Sequence, residues 1–106
     1  MLARVQLPPA AKRGEVIEVR ISIQHPMETG FRYDLGGKPI PKNVINRLVV
    51  RYNGAEIFRA EMGSGIAANP YLQFYAVADA SGEFAFEWVD DDGNRGEERA
   101  VLTVMA

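Results

Sequence analysis

The chain has 106 residues, room for one ordinary domain with a single core but not for two. Its 47% hydrophobic and 25% charged residues match a folded globular protein and exclude a chain disordered throughout. Twelve basic against 14 acidic residues leave a net charge of −2, with Lys12-Arg13 the sole basic run, so nothing draws the chain toward nucleic acid or an anionic membrane. There is no cysteine, which removes disulfides, thiolate nucleophiles and thiolate metal sites together. No run approaches the ~20 apolar residues that span a bilayer. Residues 1–13, with Pro8-Pro9, hold no apolar stretch of signal-peptide length. A soluble chain without a Sec-type address of its own is expected.

Period-2 alternation dominates from the start. A short strand is expected at Arg4–Leu7, closed by the prolines and Gly14. Residues 15–25 put Ile17, Val19, Ile21 and Ile23 on one face and Glu18, Arg20, Ser22 and Gln24 on the other, the pattern of a half-buried antiparallel strand. Val44–Tyr52 repeats it with Leu48, Val50 and Tyr52. Asn53-Gly54 then predicts a type I′ hairpin into Ala55–Met62, because both central residues of that turn need positive φ.

Tyr71–Ala78 is a further strand, and Ser81-Gly82 turns the chain into Glu83–Val89, where Phe84, Phe86 and Trp88 alternate with Ala85 and Glu87. Asp90–Asn94 is a polar turn before Glu97–Met105, which carries Ala100, Leu102 and Val104 in register. About seven strands with frequent turn signals define an all-β fold: an immunoglobulin-like antiparallel β-sandwich, with a small barrel as the alternative. Two stretches break the rhythm, Pro26–Asn43 and Gly63–Pro70. Long loops of this kind either carry function or serve as irregular crossovers between sheets.

No catalytic constellation assembles. His25 is the only histidine; it closes the buried register of a strand and precedes a proline, which favours a structural ring over a base or metal ligand. The run Asp90-Asp91-Asp92-Gly93-Asn94 fails the EF-hand pattern, with glycine fourth and Val101 in the twelfth place, and reads as a solvated hairpin turn. Ser64 lies in Gly-Ser-Gly, which is not a nucleophile elbow. No cofactor fingerprint is present. The remaining signal is a surface: Leu72, Phe74 and Ala76 can line the core, while Tyr71, Tyr75 and Val77 make the opposite face of the same strand apolar too, with Ile57 nearby adding to it. That face lies either under a partner or under the chain's own long loop.

The segment Ile23-Gln24-His25-Pro26-Met27-Glu28-Thr29-Gly30-Phe31-Arg32 closely resembles the signature of the SoxZ family of the bacterial Sox sulfur-oxidation system. Gly37–Pro41, Asn46-Arg47, Tyr52–Gly54, Phe58–Ala60, Ala67–Tyr71, Phe74-Tyr75 and the hairpin from Trp88 to Gly93 follow where that family has them, so the likeness runs nearly end to end in one domain, 1–106. The resemblance implies an immunoglobulin-like sandwich and a non-enzymatic role in thiosulfate oxidation. A SoxZ subunit pairs with SoxY as a heterodimeric carrier, SoxY bears the sulfur intermediate on a C-terminal cysteine, and other Sox enzymes dock transiently. It further implies a periplasmic location, reached by export with SoxY, and no cofactor or metal of its own. The residues expected to face SoxY or the visiting enzymes are His25, Met27, Glu28, Thr29, Gly30, Phe31 and Arg32, with Asn69, Pro70, Tyr71 and Tyr75. A self-associating immunoglobulin-like adaptor, a homodimer through Tyr71 and Tyr75, is the alternative.

Overall fold

Apolar alternation is realised as eight strands and no helix in the computed structural model, which describes residues 1–106: β1 (Ala3–Gln6), β2 (Ala10–Lys12), β3 (Val16–Ile23), β4 (Ile45–Tyr52), β5 (Ala55–Glu61), β6 (Tyr71–Val77), β7 (Gly82–Asp90) and β8 (Arg95–Met105). One sheet runs β1-β3-β6 and the other β2-β8-β7-β4-β5, giving an all-β sandwich of the immunoglobulin-like kind. The inward rows match the periodicity. Ile17, Val19, Ile21 and Ile23 of β3 meet Leu48 and Val50 of β4 and Phe84, Phe86 and Trp88 of β7 in one buried cluster. Each such side chain contributes roughly 1.5–3 kcal/mol by leaving water. Phe58 of β5 and Phe74 of β6 stack across the gap between the sheets, ring centroids 4.3 Å apart.

The β4–β5 hairpin forms as expected, with φ +49° at Asn53 and +84° at Gly54. Three features differ from expectation. An eighth strand, β2, pairs in parallel with β8 after Pro8-Pro9 carries the chain from one sheet to the other. The passage through Ser81-Gly82 also switches sheets, since β6 pairs with β3 while β7 lies between β4 and β8. Tyr52 holds that crossing: its hydroxyl accepts the N–H groups of Asp79 (3.2 Å) and Ala80 (3.1 Å) and donates to the Ala80 carbonyl. Finally, the long connection between β3 and β4 is not structureless. Glu28 and Asn43 exchange both backbone hydrogen bonds, Ile40 N–H donates to Arg32 C=O, and Asp34 closes the tip with Lys38. The segment doubles back as a two-stranded ribbon, and the molecule reaches 61 Å along its long axis against 19 Å across.

Candidate partner-binding surface

The strand expected to run to His25 ends at Ile23, so the His25 backbone lies beyond the ladder and is caught from elsewhere. His25 N–H donates to Asn69 Oδ1 (3.0 Å), and Asn69 N–H donates back to His25 C=O (2.8 Å), with Asn69 held at φ +54°. The ring is 4% exposed and lies 3.1 Å from the equally buried Asp90, Nε2 to Oδ2. Its other nitrogen accepts the Met27 N–H at 2.9 Å. Nδ1 is therefore the acceptor, and the proton sits on Nε2, donated to the carboxylate.

The turn is solvated from Asp91 to Asn94 as expected, but Asp90, the last residue of β7, is buried, against expectation. Burial pushes its carboxyl up, but the Asn94 backbone N–H, the His25 ring and the Asn94 amide outweigh that and hold it below the usual range. Its neighbour Asp91 is likewise lowered, by Asn46 first and Lys42 second, and it also accepts the Val44 N–H. Together the two aspartates tie the β7–β8 turn to both ends of the long connection between β3 and β4.

This arrangement leaves three of the expected contact residues inside the protein. His25, Met27 and Pro70 are buried, Met27 at φ +52° with its sulfur accepting the Ile45 N–H. They support a surface and present almost none. Glu28 and Arg32 are joined to each other by two hydrogen bonds (2.8 and 3.0 Å), and Thr29 Oγ1 accepts the Phe31 N–H. Gly30 occupies a left-handed turn, φ +88°, and Asn69 is exposed but spends its side chain on His25. Of the expected contact residues, Phe31 (82% exposed), Tyr71 (55%) and Tyr75 (64%) are open.

The face around the two tyrosines has a regular build. On β6, Tyr71, Gln73, Tyr75 and Val77 stand opposite Ser22, Arg20, Glu18 and Val16 of β3. Tyr71 hydroxyl donates to Gln73, and the Gln73 amide donates to Tyr75 hydroxyl, each at 3.3 Å. No loop of the chain covers this face, which removes the possibility that the long connection hides it. β6 also ends its sheet, so its outer backbone edge is unpaired. Beside it, Tyr75 and Val77 face Ile57 and Ala55 of β5 across an apolar groove of about 400 Å³.

Sequence reasoning missed Val16, which extends the apolar face beside Val77, and the ribbon's Tyr33 and Leu35, both exposed. Phe31, Tyr33 and Leu35 do alternate, but the Gly-Gly and prolines around them mask a strand signal. His25, with both ring nitrogens engaged and almost no access to solvent, is placed as a structural residue. No group of three His, Cys, Asp or Glu side chains is placed to hold a metal ion.

Fold and surface together define a small β-sandwich with one open aromatic sheet face and a free strand edge, the build of a protein-binding subunit. Residues 5–101 match the family described as sulphur oxidation protein SoxZ, and the chain belongs to that family. No curated protein matches it. Among solved structures it is similar to superoxide reductase (neelaredoxin) from Ignicoccus hospitalis, with TM-score 0.77 and 18% identity over 99% of this chain and 81% of that one. It is similar to the sulfur carrier protein SoxY from Chlorobium limicola f thiosulfatophilum, with TM-score 0.67 and 7% identity over 98% and 79%. A variant of superoxide reductase (neelaredoxin) from Archaeoglobus fulgidus gives TM-score 0.63 and 18% identity over 96% and 87%. At these identities the likenesses establish a shared fold and carry no activity across.

Proposed function

We propose that this chain is the cysteine-free, non-catalytic subunit of a Sox carrier complex. It pairs with a SoxY-type subunit whose own cysteine carries the sulfur intermediate during thiosulfate oxidation. The family match carries the reading, and the open β6 face supports it, since Tyr71, Tyr75 and Val77 form an aromatic and aliphatic patch of the composition found at interface cores. The absence of any cysteine agrees with a division of labour in which the reactive thiol belongs to the partner. Transient docking of the Sox enzymes, and a periplasmic site of action reached by export together with SoxY, belong to the same proposal. The test is direct: mixing the purified chain with a SoxY-type protein and resolving the mixture by size exclusion. A 1:1 complex is expected, and two unshifted peaks would overturn the reading.

A second reading has one specific observation behind it. The sulfur carrier SoxY shares this fold, so a face shaped for a like-folded partner also suits a second copy of this chain. Sedimentation with and without SoxY separates the two, because a homodimer that persists in the presence of SoxY favours self-association.

A further inference from the structure

The outer face of the five-stranded sheet, away from β6, carries arginines whose pairing is uneven. Its cross-strand rows follow from the register. One row reads Glu61, Arg47, Val89, Arg95 from β5 to β8, and the next reads Arg59, Val49, Glu87, Glu97. The three charges of the second row are committed, and those of the first row are not. Arg51 holds Glu87 at 3.0 Å, Arg59 holds Glu56 at 2.8 Å, and Arg99 holds Glu97 at 2.6 Å as well as Glu83. Arg47 and Arg95 have no carboxylate within 4.0 Å, and even Glu61, the register partner of Arg47, stays outside that distance. Both are exposed, and they flank Val89 in a groove of about 430 Å³ floored by Val49.

We infer that Arg47 and Arg95 form a two-guanidinium site for a small sulfur oxyanion. They lie two strand spacings apart, roughly 10 Å between backbones, well within the combined reach of two arginine side chains. Each guanidinium presents a planar pair of donors matched to a tetrahedral oxyanion. The apolar Val89 between them offers no competing acceptor, Glu87 is held by Arg51, and Glu97 shares Arg99 with Glu83. The lining of the groove carries Arg47, Arg51, Arg59 and Arg95 against Glu87 and Glu97, which makes the local field positive even though Glu61 stands at the far end of the row. The choice of sulfur oxyanions among tetrahedral anions rests on the proposed Sox function; the two-arginine geometry stands without it.

The experiment is a titration of the full chain with sodium sulfate and sodium thiosulfate, against sodium chloride at equal low ionic strength, followed by amide NMR. Saturable shifts centred on Arg47, Val89 and Arg95 are expected with both oxyanions and not with chloride. Arg47→Gln and Arg95→Gln should each weaken binding about tenfold, as loss of one charge-assisted pair does. Val89→Asp, which sets a carboxylate between the two guanidiniums, should abolish it, with the unchanged remainder of the spectrum reporting an intact fold. Shifts that never saturate, that chloride reproduces, or that survive both arginine substitutions would overturn the site. A chain that pairs with SoxY but ignores sulfate refutes this inference alone, whereas one that binds sulfate but does not pair refutes the Sox reading alone.

Discussion

His25 Nε2 and Asp90 Oδ2 lie 3.1 Å apart in the interior, 65 residues distant in sequence, and through them the end of β3 is locked to the β7–β8 turn. Removing one partner strands the other. His25→Ala leaves a buried carboxylate short of a donor and opens a cavity, so a loss of about 3 kcal/mol in chemical denaturation is expected. Asn69→Ala removes the acceptor of the His25 N–H and puts alanine at φ +54°, and should cost about 2 kcal/mol. If the histidine merely filled space, His25→Leu would match the wild type, and that result would defeat the account.

The direction of the proton is also testable. Because Met27 N–H occupies Nδ1, the ring must be the Nε2–H tautomer. Nitrogen-15 spectra of the ring at neutral pH should show a protonated Nε2 and an unprotonated Nδ1. The opposite tautomer would mean that the Met27 contact does not exist in solution.

Acid should unfold the protein through its aspartates. Asp90 and Asp91 titrate below the ordinary carboxylate value in the folded chain, so in acid the unfolded chain binds protons more readily. Their contribution is complete above about pH 5 and is lost as pH falls through about 4 toward the lower folded values. Urea midpoints measured from pH 7 to 3 should therefore fall in the acid limb, and Asp90→Asn should be weaker at pH 7 but show a shallower decline. An equally steep decline in that variant would assign the acid sensitivity to other groups.

How legible these features were depended on how far apart the determinants sit. The Asn53-Gly54 turn and the rows Ile17–Ile23 and Phe84–Trp88 are local patterns, and the fold class follows from them. β2 escaped notice because Ala-Ala-Lys has no periodicity and gains its place only by pairing with Thr103–Met105. The sheet switch before β7 depends on a hydroxyl from Tyr52, 27 residues upstream. At the surface, Tyr71 and Tyr75 could be read from a strand apolar on both faces. Nothing local in Asp90–Asn94 shows that its first carboxylate turns inward, because the signal for that is the lone histidine far away in the chain.

Gly96 offers a check on the packing that sequence did not reveal. It stands opposite Trp88, and a Cβ there would lie 2.1 Å from the indole ring. Gly96→Ala should displace Trp88 at a cost of about 1–3 kcal/mol and shift its fluorescence. Gly63→Ala, with no atom near the added methyl, should change stability by less than about 0.5 kcal/mol. Equal effects at the two positions would show that Trp88 does not rest on Gly96.

Tyr75→Asp addresses the binding face itself. The ring is well exposed, touches the groove shared with β5, and donates nothing to the core, so the isolated variant should stay folded and lose no more than about 1 kcal/mol to the like charge of Glu18 opposite it on β3. Desolvating a carboxylate against a partner is a different matter. If Tyr75 is an anchor of the SoxY contact, affinity measured by calorimetry should fall by about 2 kcal/mol or more, a factor near 30. Undiminished affinity in a folded variant would move the contact off this face, leaving the exposed ribbon with Phe31, Tyr33 and Leu35 as the apolar surface to test by the same substitution.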